Sequence, residues 1–545
     1  MTSRSLGHRA PLLWLVLPLM GGMVLGRLGG FMHPGPLLAG ALLCAVAATV
    51  ASWRAPRWWA PAIVAAMALA GSSSYALHRA RLAAWNALPP REARVSLRID
   101  RVFSPVDPRK TSGLAVVTRA EQHVGDLAGQ RVYFSLALRN GEPPPIRSAV
   151  VSAVGVLATL PENPPADTFD GYLAAAGVNF RLTRGRLLAE EQRASAYYRF
   201  CAQAAARCKE ILGVGIAAKR PELAGLLRAM MLGETHELSD EQHALFMQSG
   251  TMHLFAISGL NIAVIAGMVQ ALLSLLRLPA WTRFVAGTAV LWLFVDITGA
   301  APSAVRAFAM TVFLQAALVL RRPANPVAAV TASALAVILV TPLQVFSASF
   351  LMSYGIVTAL LVFGLPLGDA WQARWSPWRD VPEATRTRWQ RATAAAWRWA
   401  APAVAIGVAA TLVSLLTGVQ FFRLLTPGAL VANLVLIPAA IVVTLGGFSA
   451  LLCGGLGFVA GAACCNHAAA LVLLGIEWLV RVSVRVPGAF VPAAFTAPWI
   501  GGCALAVLMA TLLAGYAAGW KRSRGGWWPP LAVVALALVF GVNFG

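Results

Sequence analysis

The feature that most constrains this chain is a series of apolar blocks, each about 20 residues long. A helix of roughly that length crosses the hydrocarbon core of a bilayer. Lipid offers no water to an unpaired backbone, so such blocks must fold as helices. Hydrophobic residues make up 58% of the sequence and charged residues only 12%, against roughly 25% charged in a soluble globular protein. The expected fold class is a polytopic α-helical membrane protein of about 13 spans. They lie near 12–30, 37–52, 58–77, 252–276, 281–299, 303–320, 326–341, 345–366, 399–421, 426–444, 447–465, 497–518 and 529–544. The segment 467–484, with Glu477 and Arg481 on one side, reads as interfacial.

Arg4 and Arg9 precede the first span, and Arg54 and Arg57 follow the second. Basic loops stay in the cytoplasm, so the third span exits outward and residues 78–250 are extracytoplasmic. Arg321-Arg322, the Arg-rich loop 367–398 and Lys521–Arg524 then all fall on the cytoplasmic side. These loops collect most of the +22 net charge. The charge is thus what membrane topology requires, and it supports an anionic partner only weakly. Trp371, Trp375 and Trp378 make the 367–398 loop a membrane-surface anchor, with docking of a cytoplasmic motor as the alternative. The N-terminal run lacks a small-residue cleavage site and reads as a retained first helix.

The domain plan is 1–77 for N-terminal membrane helices, 78–193 for a small β domain, 194–250 for a helical segment and 251–545 for the second membrane block. Within 92–190, alternating runs such as Arg94–Asp100 and Arg131–Leu138 are separated by Pro/Gly clusters at Ser104–Pro108, Asn140–Pro145 and Pro161–Pro165. This is a strand signature that a small OB-like barrel would close. Phe103, Tyr133 and Phe134 fall in these strands. Such aromatics can stack nucleic-acid bases on a barrel surface, but alternation buries every second side chain, which favours core packing. Ser239-Asp-Glu-Gln242 is a capping box that starts a helix.

Polar residues inside apolar blocks are the candidate site. His253 opens one block, and Ser258, Gly259 and Asn261 stand within it. A helix broken at Ser258-Gly259 would point backbone N–H groups and a positive dipole end into the membrane. Phosphates are stabilised by such ends. The alternative is that Gly259, Ala263 and Gly267 form a small-residue stripe for helix packing. Asp296 and Arg306 flank the turn Gly299–Pro302 and are expected to pair, which would explain two charges near lipid. Asn433 is another polar residue in an apolar run. His236, Glu237, Asp240, Glu241 and His243 match no metal template and read as a solvated helix start, and His467 as structural. The seven cysteines show no CxxC or Cys/His spacing. Cys44, Cys453, Cys464, Cys465 and Cys503 read as small core residues, and Cys201 and Cys208 stand two helical turns apart. No metal, cofactor or catalytic cluster is expected, and no GxxxxGK[ST] occurs.

The stretch Phe246-Met-Gln-Ser-Gly-Thr-Met-His253-Leu-Phe-Ala-Ile-Ser258-Gly259-Leu260 resembles the signature of the ComEC family, channels of bacterial natural competence. Similar to the same family are Gly299-Ala-Ala-Pro-Ser-Ala-Val-Arg306-Ala-Phe-Ala-Met310, Arg322-Pro323 with Asn325-Pro326, Pro342 with Phe346–Tyr354, and Gln420-Phe-Phe422 leading to Ala432-Asn433 and Pro438. Asn163–Leu173 resembles the end of the family's OB-like outer domain. The resemblance implies an inner-membrane channel passing single-stranded DNA from periplasm to cytoplasm. His253, Ser258, Gly259, Asn261, Asp296, Arg306 and Asn433 would then face the path, and Phe103, Tyr133 and Phe134 would be outer-domain DNA contacts. Implied partners are membrane lipid, a periplasmic DNA-delivery protein and a cytoplasmic ATP-driven motor. Two departures stand out. Asn261 occupies the place where the family's motif has histidine. The sequence also has no HxHxDH cluster of the metallo-β-lactamase-like domain that many members carry, so a separate nuclease is implied. A small-anion transporter, an integral membrane nuclease and a membrane scaffold are the alternatives.

Overall fold

The computed structural model describes residues 10–30, 33–83, 89–103, 107, 109–138, 143–161, 164–255, 257–322, 325–521 and 525–544, with backbone only at 79–83, 122 and 123. Arg4, Arg9, most of Ser104–Pro108, Asn140–Glu142, Asn163, Ala256, Pro323 and Arg524 lie outside the described residues.

In chain order the helices are α1 (Leu13–Gly29), α2 (Pro34–Arg54), α3 (Pro56–Ala83), α4 (Phe169–Ala175), α5 (Ala196–Gly213), α6 (Pro221–Leu232), α7 (Asp240–Gln248), α8 (Gly259–Leu275), α9 (Ala280–Ile297), α10 (Pro302–Val319), α11 (Pro326–Val340), α12 (Ala348–Ala359), α13 (Leu365–Trp375), α14 (Arg388–Phe422), α15 (Ala429–Gly455), α16 (Val459–Val484), α17 (Pro498–Ala517) and α18 (Trp528–Gly541). The strands are β1 (Arg91–Val102), β2 (Lys110–Ala120), β3 (Arg131–Ala137), β4 (Val150–Thr159) and β5 (Phe180–Gln192), with short β6 (Leu424–Leu425), β7 (Val491–Phe495) and β8 (Val542–Phe544). Among the described residues, ten helices are long and apolar enough to cross a membrane, and α1, α11 and α18 are shorter apolar helices. This is a multi-pass membrane architecture.

The chain divides into two compact units, one of Gly7–Glu210 with Val269–Ser347 and one of Ile211–Met268 with Ala348–Gly545. In the first, β1 to β5 close a barrel in the order β1-β2-β3-β5-β4, with β3 and β5 parallel. Alternation of Val95, Leu97 and Ile99 with Arg94, Arg98 and Arg101 puts one face of β1 into the core. Two register shifts in β1 help it bend between β2 and β4. β4 and β5 cross closely at Gly155, where a Cβ would lie 2.9 Å from the Cα of Gly185. Helices α1 and α3 meet through small residues: a Cβ on Gly22 would overlap the Ala68 carbonyl, and Ser72 Oγ donates to the Gly22 carbonyl (2.7 Å).

In the second unit the spans differ from the expected ones. Residues 426–465 were expected as two spans with an interfacial segment after them. They form α15 and the start of α16 instead, because the turn falls at Gly457, whose φ of +81° is readily adopted only by glycine. The 467–484 segment is the body of α16, and its charges are satisfied in place: Arg481 donates to Glu477 (2.9 Å) and Glu241 (2.8 Å). The span expected at 399 begins at Arg388, where Thr387 and Gln390 form a capping box. Helices α12 and α13 are continuous through a π turn, Leu360–Gly364. Trp520 Nε1 donates to the Val362 carbonyl in that turn (3.0 Å) and stacks on Trp527. α6 is buried along most of its length against α15 and α16.

Candidate functional site

The stretch from Ser249 to Asn261 is folded by local hydrogen bonding. Gly250 takes a left-handed φ of 67°, which ends α7 and opens the 3₁₀ turn Thr251–Leu254. Ser249 Oγ and Thr251 Oγ1 lie 2.6 Å apart in the core. Helix α8 then begins at Gly259. Ser258 caps it, its hydroxyl accepting from the Asn261 N–H (3.3 Å) and its carbonyl from Ile262 N–H. The apolar block therefore carries a helix start inside it rather than one unbroken helix. His253 is exposed, and its Nδ1 donates to the Gly250 carbonyl (2.9 Å).

Asn261 is buried among helices. It is 3% exposed. Its Nδ2 donates to the Met230 carbonyl of α6 (3.1 Å), and its Oδ1 faces the Thr444 hydroxyl of α15 (3.3 Å). The amide ties three helices, which buried polar groups need in order to be satisfied. Gly259, Ala263 and Gly267 are instead exposed, and a Cβ on Gly267 would meet nothing. Among the described residues the small-residue stripe is thus left uncovered at Gly267. Ser258 and Asn261, three residues apart, point to different surroundings.

The expected Asp296–Arg306 pair is not formed. Asp296 at the end of α9 has a side chain 1% exposed and accepts from Arg147 Nη1 (2.8 Å) and the Tyr197 hydroxyl (2.8 Å). Arg147 also lies over the Tyr198 ring, 4.7 Å from its centre. Burial, then the bond to the Asp296 carboxylate, pushes the Tyr197 phenol well above its ordinary range. Arg147 and Tyr197 stand 149 and 99 residues from Asp296, and no local pattern marked them. Arg306, 1% exposed, donates to Gln344 Oε1 (3.4 Å). The turn between α9 and α10 explains the swap: Asp296 ends one helix and Arg306 stands one turn inside the next, so their side chains meet different neighbours.

Phe134 is fully buried inside the barrel and offers no surface to bases. Phe103 and Tyr133 lie outside it, stacked on one another (6.2 Å) and packed with Phe169 and Tyr172 of α4. Asn433 on α15 is half-buried, and its Oδ1 has no hydrogen-bond partner. His236 pairs with Glu234, and Glu237 with Arg228. Among the described residues no three His, Cys, Asp or Glu side chains group as metal ligands. All seven cysteines are free, and Cys464 and Cys503 are exposed rather than packed in a core.

A family model described as Competence protein matches residues 230–520, more than half of the sequence. The chain belongs to the competence protein family. It is similar to ComE operon protein 3 of Bacillus subtilis (strain 168), 29% identical over 143 residues, which cover 26% of this chain and 18% of that protein. It is also similar to Recombination protein 2 of Haemophilus influenzae (strain ATCC 51907 / DSM 11121 / KW20 / Rd), 28% identical over 179 residues, 31% of this chain and 22% of that protein. The aligned stretch therefore spans about a fifth of each of these curated relatives. No solved structure matches the chain. The family match contains α7 to α17 and so takes in the Ser258 helix start, Asp296, Arg306 and Asn433.

Proposed function

We propose that this protein acts in DNA uptake for transformation, as the inner-membrane channel through which single-stranded DNA passes from periplasm to cytoplasm. The observation that carries the reading is the start of α8 inside an apolar, family-matched segment. A capped helix N-terminus there places partial positive charge where a phosphate backbone would otherwise meet only hydrocarbon. The uncovered face of Gly259, Ala263 and Gly267 lets a strand approach the backbone closely. Of the expected path residues, His253, Ser258, Gly259 and Asn433 keep a place in this reading. Asn261 supports the helix from behind, and Asp296 holds Arg147 and Tyr197 within its own unit. The strand would be moved intact. A periplasmic DNA-delivery protein and a cytoplasmic ATP-driven motor would supply cargo and work, and degradation of the second strand would fall to a separate nuclease. The barrel and residues 78–250 would lie on the periplasmic side.

Placing a photo-crosslinking amino acid at Ala263 during uptake of labelled DNA tests the path. The same group at Val442 on α15, also exposed, is the control. The proposal expects DNA crosslinks at Ala263 and none at Val442. Lipid crosslinks alone at both positions would reject α8 as a wall of the path.

A further inference from the structure

One cleft belongs to none of these elements of the proposed path. It is a shallow, open cleft lined by Arg27 of α1, Tyr75 of α3, Gly171 and Ala174 of α4, and Leu343 and Phe346 of the turn before α12. The Arg27 guanidinium lies over the Phe346 ring, 5.0 Å from its centre. Tyr75 meets the same ring edge-on at 5.7 Å. Among the described residues Arg27 makes no hydrogen bond or ion pair, and the Tyr75 hydroxyl has no partner either. An arginine at the end of a membrane helix usually reaches outward along the apolar surface to the headgroup layer. This one is held over an aromatic ring at the mouth of a cleft, with its donors unused.

We infer that the cleft binds the phosphodiester headgroup of a membrane phospholipid. A planar guanidinium with free donors suits two phosphate oxygens at once. The Tyr75 hydroxyl supplies a further neutral donor. The apolar side of the site decides between lipid and other phosphates. Leu25 and Leu28, on the same turns of α1 as Arg27, are 57% and 78% exposed. In a membrane helix such residues face acyl chains, so a bound headgroup would have its tails laid on α1. A nucleic acid or a free phosphate would leave that surface uncovered. The inference is independent of the proposed DNA path, since none of its residues lies in α8.

Native mass spectrometry of the purified full chain in mild detergent, titrated with dioleoylphosphatidylglycerol, tests this. Wild type should hold one phosphatidylglycerol more tightly than the rest. Arg27→Gln should weaken that site about tenfold, and Arg27→Lys should weaken it less, because lysine keeps charge without the fork. Tyr75→Phe should weaken it a few-fold. If Arg27→Gln does not fold, Arg27→Lys and Tyr75→Phe carry the comparison. Wild-type affinity in every variant that folds would overturn the site. Displacement of the lipid by millimolar inorganic phosphate would reassign it to free phosphate. Displacement by a short oligothymidylate would reassign it to nucleic acid. Either result overturns the lipid reading.

Discussion

Asp296→Asn removes the charge from a carboxylate that holds two groups distant in sequence. At 2.8 Å and an effective dielectric near 20, the gross attraction between Asp296 and Arg147 is about 6 kcal/mol. Most of that is offset. The Asp296 side chain is buried and had to lose its water, while the Arg147 side chain is 34% exposed and can recover its own. Asparagine would still accept one bond. The net loss is therefore about 2 kcal/mol, within the usual range for hydrogen bonds to charged groups. On a scale of roughly 2–4 °C per kcal/mol, thermal unfolding in detergent should fall by about 4–8 °C. The sharper assay is a double-mutant cycle. Asp296→Asn with Arg147→Gln should show a coupling of about 1–2 kcal/mol. Additivity within about 0.5 kcal/mol, or a larger coupling in the Asp296→Asn/Arg306→Gln cycle, would refute the pairing described here.

Asn261→Ala should cost about 1–3 kcal/mol, because it leaves the buried Met230 carbonyl without its donor; unchanged thermal stability would contradict the three-helix tie. Phe134→Ala should cost about 3–5 kcal/mol by opening a cavity in the barrel, whereas Phe103→Ala, on the outside, should cost far less, as denaturation of the two variants would show. The Tyr197 phenol should ionise above the ordinary tyrosine value of 10.0, followed by tyrosinate absorbance against Tyr197→Phe. The neutral form is the one stabilised by the fold. Its contribution is thus complete below about pH 10 and is lost as pH rises through the higher folded value. Ionisation at the ordinary value would remove the Asp296 bond from the account.

Much of this fold was legible in the sequence because its signals are local. Apolar blocks and alternating strands needed only length and period to be recognised, and the Ser239 capping box formed as its spacing predicts. The span limits between 426 and 484 were misplaced for a physical reason. A run apolar on every face has no periodic marker, so the turn at Gly457 could not be told from the other glycines of the run. The site was less legible. Polar residues in lipid announced that something must satisfy them, but not what. Asp296 had a charged neighbour along the chain in Arg306, yet its partner came from the barrel's edge, 149 residues away. Asn261 likewise found Met230 and Thr444, neither of which is set apart by type from the other methionines and threonines of the sequence. Burial alone separated Phe134 from Phe103 and Tyr133, since all three occupy strands or strand ends.

Deleting the gene and following labelled transforming DNA puts the channel reading to the test, with entry into the periplasm and into the cytoplasm scored separately. The account predicts that DNA still reaches the periplasm in the deletion strain and fails to reach the cytoplasm, and that the wild-type chain restores passage. Normal cytoplasmic entry without the protein would contradict it.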